Sequence, residues 1–310
     1  MKIIFYSYAW YVGGMENVVY NLCRLLKQSG DYDITIAYFS VNNGTNKMLG
    51  KLSKVAKIEC VVIGEYKCDL LINCSRKELD LPFIKADRII HWFSSCLVEN
   101  IDKILPDSKV ISQSVWHKKM LLKLGLNSTI IGNPLDVDLI LELSNEQIDF
   151  KRTNNETIYL IVARISHEKG FDRAIDFMVK RAREHCRLIV IGEASNKNND
   201  LIRLRVEKAL RNKVLFLGAK ENPYPYIKMA DFVCCFSDQE IYGLVSEEAH
   251  ILGKPVIFNQ YASSIYQFIN GFDYWTTDRV VKRKNKCLNV YKDQNIARFK
   301  RWKEIIDGKD

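Results

Sequence analysis

The most constraining feature of this 310-residue chain is an alternation of short apolar runs with longer amphipathic segments, and it occurs twice. The apolar runs are typical of buried strands, and the segments between them have the 3.6-residue period of helices. Such alternation predicts parallel sheets that are covered by helices on both faces. The strands predicted in the first half are Ile3–Tyr6, Ile34–Phe39, Leu70–Ile72, Arg88–Trp92, Val110–Ser112 and Thr129–Ile131.

The pattern starts again after the polar stretch Ser144–Glu156. The strands predicted there are Ile158–Val162, Arg187–Ile191, Val214–Leu217, Phe232–Phe236 and Pro255–Phe258. The helices predicted along the whole chain are Glu16–Lys27, Asp172–Glu184, Asp200–Leu210, Pro225–Met229, Ser246–Leu252 and Asp293–Ile306.

Two alternating sets predict two doubly wound, Rossmann-like α/β domains, in which ligands bind at the carboxyl ends of the strands. We expect an N-terminal domain over 1–143, a linker over 144–156 and a C-terminal domain over 157–285. Residues 286–310 are expected to form a basic helix that packs back toward the N-terminal domain.

The composition favours a globular protein of the cytoplasm. Hydrophobic residues make up 47% of the chain and charged residues 27%, which is typical of globular domains. No apolar run approaches the roughly 20 residues that are needed to span a bilayer. The nine cysteines lack paired metal-type spacing, and scattered cysteines of this kind are typical of a reducing compartment.

The net charge of +9 is concentrated near the C-terminus. Residues 1–150 carry equal numbers of basic and acidic side chains, whereas residues 279–310 carry 11 basic and 4 acidic ones. This segment is either a solvated basic tail or a surface that is attracted to an anionic membrane. Nucleic acid is not an expected partner, because no nucleic-acid motif accompanies the charge.

A glycine pair, Gly13 and Gly14, lies between the first predicted strand and the first predicted helix. Glycines allow a ligand to approach the backbone closely, and a helix N-terminus offers free N–H groups to an anion. A plain strand-to-helix turn would have the same sequence. The dinucleotide-binding pattern GxGxxG is absent, which argues against a dehydrogenase.

Two cations, Arg164 and Lys169, lie five residues apart between a predicted strand and a predicted helix, and Gly170 closes the segment. Cations on such a loop are suited to the two phosphates of a nucleoside diphosphate. The alternative is a helix start with surface charges.

Two carboxylates, Glu240 and Glu248, follow the predicted strand Phe232–Phe236. A carboxylate in a strand-end loop can reach a sugar, and one on the next helix can accept hydrogen bonds from ribose hydroxyls. A helix cap with an additional exposed acid is the alternative interpretation.

Two Asp-x-Asp triplets are conceivable metal sites. They are Asp31-Tyr32-Asp33 and Asp136-Val137-Asp138. Aspartate is common in turns and helix caps, and no further metal ligands cluster near either triplet in the sequence. We therefore expect neither a metal nor a cofactor.

In this order, the glycine pair, the Arg-x-x-x-x-Lys-Gly segment and the two glutamates separated by seven residues resemble retaining glycosyltransferases of the GT-B fold. This family, glycosyl transferases group 1, includes enzymes that build bacterial polysaccharides, glycogen or sucrose. The resemblance implies two Rossmann-like domains that face each other across a cleft. Further segments that match are Ile191-Gly192-Glu193, Val214–Gly218, Met229-Ala230-Asp231 and Gly253-Lys254-Pro255-Val256.

The resemblance also implies a role for each matching residue. Arg164 and Lys169 would neutralise the diphosphate of the nucleotide sugar, Glu248 would hold the ribose, and Glu240 would face the transferred sugar as a catalytic residue. The remaining implied residues bind phosphate or sugar oxygens or line the same pocket: Gly13, Gly14, Gly192, Glu193 and the backbone amides of Tyr242, Gly243 and Leu244.

The family often has a catalytic histidine at the active-site edge of its first domain. His91 is the best candidate here and His117 the second, although a histidine in an apolar run also suits a plain core position. Glycine usually follows the first glutamate of the family, whereas this chain has Ile241. A bulky side chain there is expected to reshape the sugar pocket.

The function implied by the resemblance is transfer of a sugar, most often a hexose, from a nucleotide-diphosphate sugar to a surface-polysaccharide or glycolipid acceptor, as in capsule or O-antigen synthesis. The expected location is the cytoplasm, with peripheral attachment to the inner face of the cell membrane. Three alternatives stay open: a nucleotide-sugar epimerase, a sugar phosphorylase on the same fold, and a non-catalytic subunit that binds nucleotide sugars.

Overall fold

A computed structural model describes most of the chain. The described residues are 1–10, 13–40, 45–61, 65–75, 84–93, 104, 107–153, 155–194, 196–237, 240–259, 274–276, 280–281 and 288–309. Part of the basic segment 279–310, and the end of the predicted C-terminal domain at 285, lie outside these ranges.

The first sheet is built by the N-terminal part of the chain, and its pairs of neighbouring strands are parallel. Its strand order is β3-β2-β1-β4-β5-β6-β7. The strands are β1 Lys2–Ser7, β2 Asp33–Tyr38, β3 Lys57–Cys60, β4 Tyr66–Asn73, β5 Ile84–Trp92, β6 Lys109–Ser112 and β7 Thr129–Ile130.

The second sheet has the order β10-β9-β8-β11-β12-β13-β14. It is parallel up to β13, and β14 runs antiparallel to β13 at the edge. The strands are β8 Thr157–Val162, β9 Cys186–Ile191, β10 Val214–Phe216, β11 Phe232–Cys235, β12 Val256–Phe258, β13 Tyr274–Thr276 and β14 Val280–Val281.

Helices connect the strands in both sheets. They are α1 Gly14–Ser29, α2 Thr45–Leu52, α3 Val115–Lys123, α4 Val137–Leu143, α5 Phe171–Val179, α6 Lys197–Leu210, α7 Tyr224–Met229, α8 Leu244–Ile251 and α9 Leu288–Ile306. Short 3₁₀ turns are formed by His167–Lys169 and Arg211–Lys213. The predicted class, an α/β protein with two Rossmann-like sheets, is confirmed.

Both sheets have the same winding. The chain fills each sheet outward in one direction, returns to the centre and fills the other side, so the direction changes between β1 and β4 and between β8 and β11. Crevices at such switch points, outside the carboxyl ends of the strands, are where open α/β sheets bind ligands. The strand order therefore indicates that a ligand would bind near the loops after β1, β4, β8 and β11.

Apolar periodicity explains the helices that cover the sheets. In α1 the side chains of Val18, Val19, Leu22 and Leu26 recur on one face and are fully buried. In the second sheet, aromatic rings of neighbouring elements fill the core, and Tyr159 packs edge-on against Phe177 at 5.1 Å between ring centroids.

The chain divides into two compact units. The first comprises residues 1–136 and 293–310, and the second comprises residues 137–292. The division falls at Asp136–Val137, whereas the sequence placed the end of the first domain at residue 143. The reason is α4, which contacts α7 and α8, and whose last carbonyl, at Leu143, accepts a hydrogen bond from Asn222 Nδ2 at 2.9 Å.

Helix α9 joins the first unit through buried contacts of its C-terminal half. The ring of Trp302 packs on Trp92 at 4.4 Å between centroids, and its Nε1 donates to the Gly132 carbonyl at 3.2 Å. Arg88 donates to the carbonyl of Ile305 at 3.2 Å, so a cation satisfies the end of the helix. None of the helices in the described part of the chain combines the length and the hydropathy that crossing a bilayer requires.

Helix α5 ends at Val179, five residues before the predicted end at Glu184. After Val179 the backbone forms tighter turns, because the N–H groups of Arg181 and Ala182 donate to the carbonyls of Met178 and Val179, three residues back, both at 3.0 Å. The ammonium group of Lys213 holds these turns, and it donates to the carbonyls of Arg181, Ala182 and Glu184 at 3.2, 2.7 and 2.7 Å.

Candidate functional site

The switch point of the second sheet carries an ion pair. Lys169 lies in the loop after β8 and Glu240 in the loop after β11, and the lysine Nζ is 3.1 Å from Glu240 Oε2 and 3.5 Å from Oε1. Their side chains are 20% and 26% exposed. The structure thus brings together two residues that the sequence separates by 71 positions, and it leaves both accessible to a ligand.

Close backbone contacts hold these loops in place. Gly170 has φ +70°, and a Cβ atom there would lie 2.2 Å from the carbonyl oxygen of Phe236, just after β11. Gly192, after β9, has φ +150°, and a Cβ atom there would lie 1.8 Å from the carbonyl oxygen of Ala163. Only glycine permits both the backbone conformation and the approach, so these two positions fix the loop geometry.

Arg164, the other predicted phosphate ligand, is far more exposed than Lys169. Its side chain is 65% exposed and pairs with Glu168, four residues further along the chain, at 3.6 Å. An exposed pair at this distance is weak, because water and salt screen it. The guanidinium is therefore available to an anionic ligand at little cost.

Glu193 and Gly192 form a turn beside the Arg164 segment. Ile165 N–H donates to the Glu193 carbonyl at 3.0 Å, and the exposed carboxylate of Glu193 accepts a bond of 3.4 Å from the amide of Ala219. The loops after β8, β9 and β10 thus meet at one edge of the sheet.

The segment before α8 is held by its own hydrogen bonds. Leu244 N–H donates to the Tyr242 carbonyl at 2.9 Å, so a phosphate would have to compete for this predicted amide ligand. Ser246 Oγ donates to the carbonyl of Gly243, the residue before α8, at 2.6 Å. The buried Tyr242 hydroxyl donates to Glu247 Oε2 at 2.6 Å, which anchors the segment on the helix.

Glu248, the predicted ribose ligand, is buried on α8. Its Oε1 accepts a hydrogen bond of 3.2 Å from the hydroxyl of Tyr224, the first residue of α7. Sequence reasoning missed Tyr224 and Glu247, because a tyrosine at a helix start and a second glutamate on a helix have no distinctive pattern.

Cys235 ends β11 beside the ion pair. Burial raises the pKa of its thiol to about 12, and the negative charge of Glu240 adds to this effect. The thiol is therefore neutral at physiological pH and is not a nucleophile.

In the first unit, Gly13 directly precedes α1 in an extended conformation, with φ −161°, and Asn17 N–H donates to its carbonyl at 3.3 Å. Gly14 is exposed as the first residue of the helix. The predicted strand–glycine pair–helix arrangement is thus present.

His91 lies at the carboxyl end of β5 and is buried. Asn73 ends the neighbouring strand β4, and its Nδ2 is 3.3 Å from His91 Nδ1. Burial lowers the pKa of His91 to about 4, and the ring stacks on Phe93 at 5.6 Å between centroids.

More buried polar side chains lie at the ends of β6 and β7. Gln113 Nε2 donates to the Phe93 carbonyl at 3.2 Å, and its Oε1 accepts from Asn133 Nδ2 at 3.4 Å. His117, the second histidine candidate, accepts the backbone N–H of Gln113 on Nδ1 at 3.2 Å and is fully buried, as a structural residue of α3 would be. Asn73, Gln113 and Asn133 were missed. A signal was available, because each amide closely follows an apolar run.

The Asp triplets have structural partners. Asp136 pairs with Arg24 at 2.5 Å, Asp138 with Lys292 at 2.5 Å, and Tyr32 donates to Asp307 at 2.8 Å. Within the described ranges, no three His, Cys, Asp or Glu side chains gather as a metal site would require.

The family model described as glycosyl transferases group 1 matches residues 144–287, which is nearly the whole second unit. The matched residues make up just under half of the chain. The predicted resemblance to this family is confirmed. The ion pair, the glycine contacts and Glu248 all lie within the matched residues, and the match supports the predicted transferase enzyme.

A relative found by sequence and several proteins of solved structure are also similar to this chain. An uncharacterized glycosyltransferase of Methanocaldococcus jannaschii is 28% identical over 185 residues, which cover 57% of this chain and 46% of that protein. The chain thus matches about half the length of this relative.

The solved structures share the fold at low identity. HepE of Anabaena, crystallised with UDP and glucose, is 15% identical with a TM-score of 0.69, over 96% of this chain and 89% of that one. The lipopolysaccharide outer core galactosyltransferase WaaB is 16% identical with a TM-score of 0.67, and the match covers 100% of both chains. These matches confirm the GT-B fold.

Proposed function

We propose that this chain is a retaining glycosyltransferase that moves a sugar from a nucleoside-diphosphate sugar to a glycan or lipid-linked glycan acceptor. The observation that carries the proposal is the pair of Lys169 and Glu240 at the switch point of the second sheet. The ammonium group of Lys169 can bind phosphate, and the carboxylate of Glu240 can accept hydrogen bonds from sugar hydroxyls. The two groups are neighbours at the carboxyl ends of the strands, where sheets of this kind bind ligands.

The charges of the site suit a nucleotide sugar. Lys169 and the exposed Arg164 bind the diphosphate, which is the leaving group and gains negative charge as the sugar departs. Glu240 accepts hydrogen bonds from hydroxyls of the transferred sugar. Glu248, held by Tyr224, binds the ribose hydroxyls. Gly192 and Glu193 line the pocket beside the Arg164 segment.

The backbone contributes further hydrogen-bond donors. Amides of the segment that ends at Leu244, at the start of α8, bind phosphate or sugar oxygens. In the first unit, the amides of Gly13 and Gly14 at the start of α1 bind an anionic group, which the helix dipole favours.

We propose that the bond breaks and forms on the same face of the sugar. The acceptor hydroxyl attacks the anomeric carbon, the bond from that carbon to the phosphate oxygen breaks, and the departing phosphate accepts the hydroxyl proton. The site then needs charge stabilisation and orientation rather than a protein nucleophile. The neutral thiol of Cys235 is consistent with this mechanism.

HepE was crystallised with UDP-glucose as well as with UDP, which supports a uridine nucleotide as the first sugar donor to test. A galactosyltransferase of the lipopolysaccharide outer core shares the fold, which supports a surface-polysaccharide acceptor. We further propose attachment to an anionic membrane face, because residues 279–310 carry 11 basic and 4 acidic side chains.

The donor proposal is tested by the thermal stability of the purified protein with UDP, GDP and ADP, each with and without a chelator. A ligand at a hundred times its dissociation constant adds about 2.7 kcal/mol of stability. We expect one diphosphate to stabilise the protein, chelated or not, and Arg164→Ala to reduce the effect. Arg203→Ala is the control, since it removes an exposed arginine of α6 in the same unit.

Three outcomes would contradict the proposal. If no diphosphate stabilises the protein, the glycosyltransferase domain is degenerate. Consumption of the nucleotide sugar without an acceptor would indicate an epimerase, and a requirement for inorganic phosphate would indicate a phosphorylase.

Membrane attachment is tested by sedimentation with vesicles of anionic or zwitterionic lipid. Each basic residue near an anionic surface contributes about 1 kcal/mol, so replacing Lys282, Arg283 and Lys284 by Gln should weaken binding strongly. Replacing Lys118, Lys119 and Lys123 of α3 is the control of equal charge. Equal loss in both variants would show that the tail has no special role.

A further inference from the structure

Asn73 and His91 are direct neighbours across β4 and β5. They are register partners at the carboxyl ends of these parallel strands, and both side chains are buried. The imidazole is further held by stacking on Phe93. Stacking fixes the plane of the ring, and its hydrogen bonds decide which nitrogen carries the proton.

A second hydrogen bond fixes the orientation of the Asn73 amide. The backbone N–H of Ser75 donates to Asn73 Oδ1 at 2.9 Å, so the carbonyl side of the amide faces Ser75. The NH₂ group then faces His91 Nδ1, at 3.3 Å. An NH₂ group only donates, so Nδ1 must accept.

The remaining ring nitrogen is therefore the protonated one. Burial lowers the pKa of His91 to about 4, so the ring is neutral at physiological pH and has a single N–H, on Nε2. In the part of the chain that the structure describes, this buried Nε2 has no hydrogen-bond partner. Native proteins rarely leave a buried donor unpaired, which indicates that a ligand supplies the acceptor.

We propose that Asn73 is a positioning residue. It fixes His91, the histidine that the family resemblance already implies at the active-site edge of the first domain, as an Nε2–H hydrogen-bond donor to an uncharged oxygen of a bound sugar. This inference rests on the proposed function for the identity of the ligand, but not for the proton position. It also excludes His91 as a general base, because Nε2 has no lone pair and the lone pair of Nδ1 is engaged by Asn73.

The proton position is measured directly by NMR of the ¹⁵N-labelled protein, with two-bond ¹H–¹⁵N correlations of the imidazole rings. The chain has five histidines, and His91→Gln identifies the signals of His91. We expect Nε2 protonated and Nδ1 unprotonated at neutral pH. A proton on Nδ1 would overturn the proposal, whatever the protein catalyses.

The role of Asn73 is tested by Asn73→Asp, which keeps the size of the side chain and replaces the donor by an acceptor. We expect the His91 proton to move from Nε2 to Nδ1, where the new carboxylate accepts its hydrogen bond. Asn295→Asp is the control for burying a carboxylate in the same unit, and it should leave the His91 signals unchanged. An unchanged pattern in Asn73→Asp would also overturn the proposal.

Measurements of kcat/KM then test whether the Nε2–H group of His91 contributes to sugar transfer. We expect His91→Gln and Asn73→Asp each to lower kcat/KM about tenfold, as for one lost hydrogen bond. The double variant should be no worse than His91→Gln, because Asn73 acts through His91. Additive losses would contradict the proposal.

Binding assays identify which sugar accepts the bond. Weaker binding of the nucleotide sugar with unchanged binding of the nucleoside diphosphate assigns it to the transferred sugar. A raised KM for the acceptor alone assigns it to the acceptor sugar. If the wild type transfers no sugar at all, the proposed function fails, and the NMR result still decides the tautomer.

Discussion

In the first sheet, the carboxyl ends of β4 and β5 carry neutral, buried side chains, whereas in the second sheet the loops after β8 and β11 carry charged, partly exposed ones. Asn73 is the last residue of β4, His91 is the last but one of β5, and their side chains are held by hydrogen bonds. Lys169 and Glu240 follow β8 and β11 as an ion pair. Both units have the same strand order, so the fold does not account for this difference.

The two edges are also built differently. In the second unit, glycines bring backbone against backbone, as at Gly170 and Gly192. A loop held in this way keeps its shape while its charged side chains can still exchange partners. In the first unit, Asn73 and His91 are themselves part of the packed core, so their side chains are positioned before any ligand binds. In the proposed function, the edge of the second unit would bind phosphate and the edge of the first would bind a sugar hydroxyl.

The largest effect is expected when a glycine that makes a backbone contact in the second unit is replaced. Gly170→Ala places a methyl group against the Phe236 carbonyl at a positive φ, and we expect a loss of about 4 kcal/mol in the free energy of unfolding. Gly253 has the same φ, +70°, and a Cβ atom there would meet nothing within 4 Å, so Gly253→Ala should cost only about 1 kcal/mol. Urea denaturation measures both, and equal losses would show that the contact is unimportant.

The second prediction concerns the pH dependence of the free energy of unfolding, to which the buried His91 of the first unit contributes. The folded-state pKa of His91, about 4, lies below the ordinary value of 6.5, so the unfolded chain binds more protons between these values. Stability is therefore full above pH 6.5 and falls as the pH approaches 4, by an amount on the order of 3 kcal/mol. His91→Gln should flatten this part of the profile, and an unchanged slope would contradict burial as the cause.

The charged edge is tested by Lys169→Met, which keeps the approximate length of the side chain and removes its charge. Since the diphosphate gains charge during transfer, we expect kcat/KM to fall about a hundredfold. The decrease should be smaller at high salt for the exposed Arg164→Met, because screening already weakens that contact. A Lys169→Met enzyme of normal activity would exclude the lysine from the site.

The smallest effect is expected when the charge of Glu240 alone is removed, which distinguishes its role from that of Lys169. Glu240→Gln removes a negative charge beside the phosphate site, so we expect nucleoside diphosphate to bind a few-fold more tightly while sugar transfer falls. The gain is small because the pair is partly exposed. Titration calorimetry measures the affinity, and weaker diphosphate binding would show that Glu240 positions Lys169 instead of competing for it.

Much of the fold was predictable because buried strands and amphipathic helices have periodic patterns. One element that was missed lacks such a pattern. β3 has the sequence Lys-Ile-Glu-Cys, is half-exposed, and is a strand because its backbone pairs with β2. The N-terminal extension of β4 does alternate charged and apolar residues, as in Lys67 and Asp69, and this strand pattern was overlooked.

The residues of the site were predictable where the motif was local. Arg164, Lys169 and Gly170 stand close together in the sequence, so their spacing carried the information. Tyr224 was not predictable, because it acts on a partner that is 24 positions away. Asn73 could have been found at the end of an apolar run, but its contact with His91, 18 positions away, could not. Such contacts depend on strand register and helix placement.

The sequence by itself determined the α/β class, the predicted phosphate-binding loop of the second unit and the two glutamates, because apolar periodicity and short motifs are written in neighbouring residues. The tertiary structure alone decided that Lys169 pairs with Glu240, that α4 belongs to the second unit, and that Asn73 faces His91. The physical reason is that ion pairs, protonation states and helix ends depend on distance and burial in space. Separation along the chain does not fix either of them.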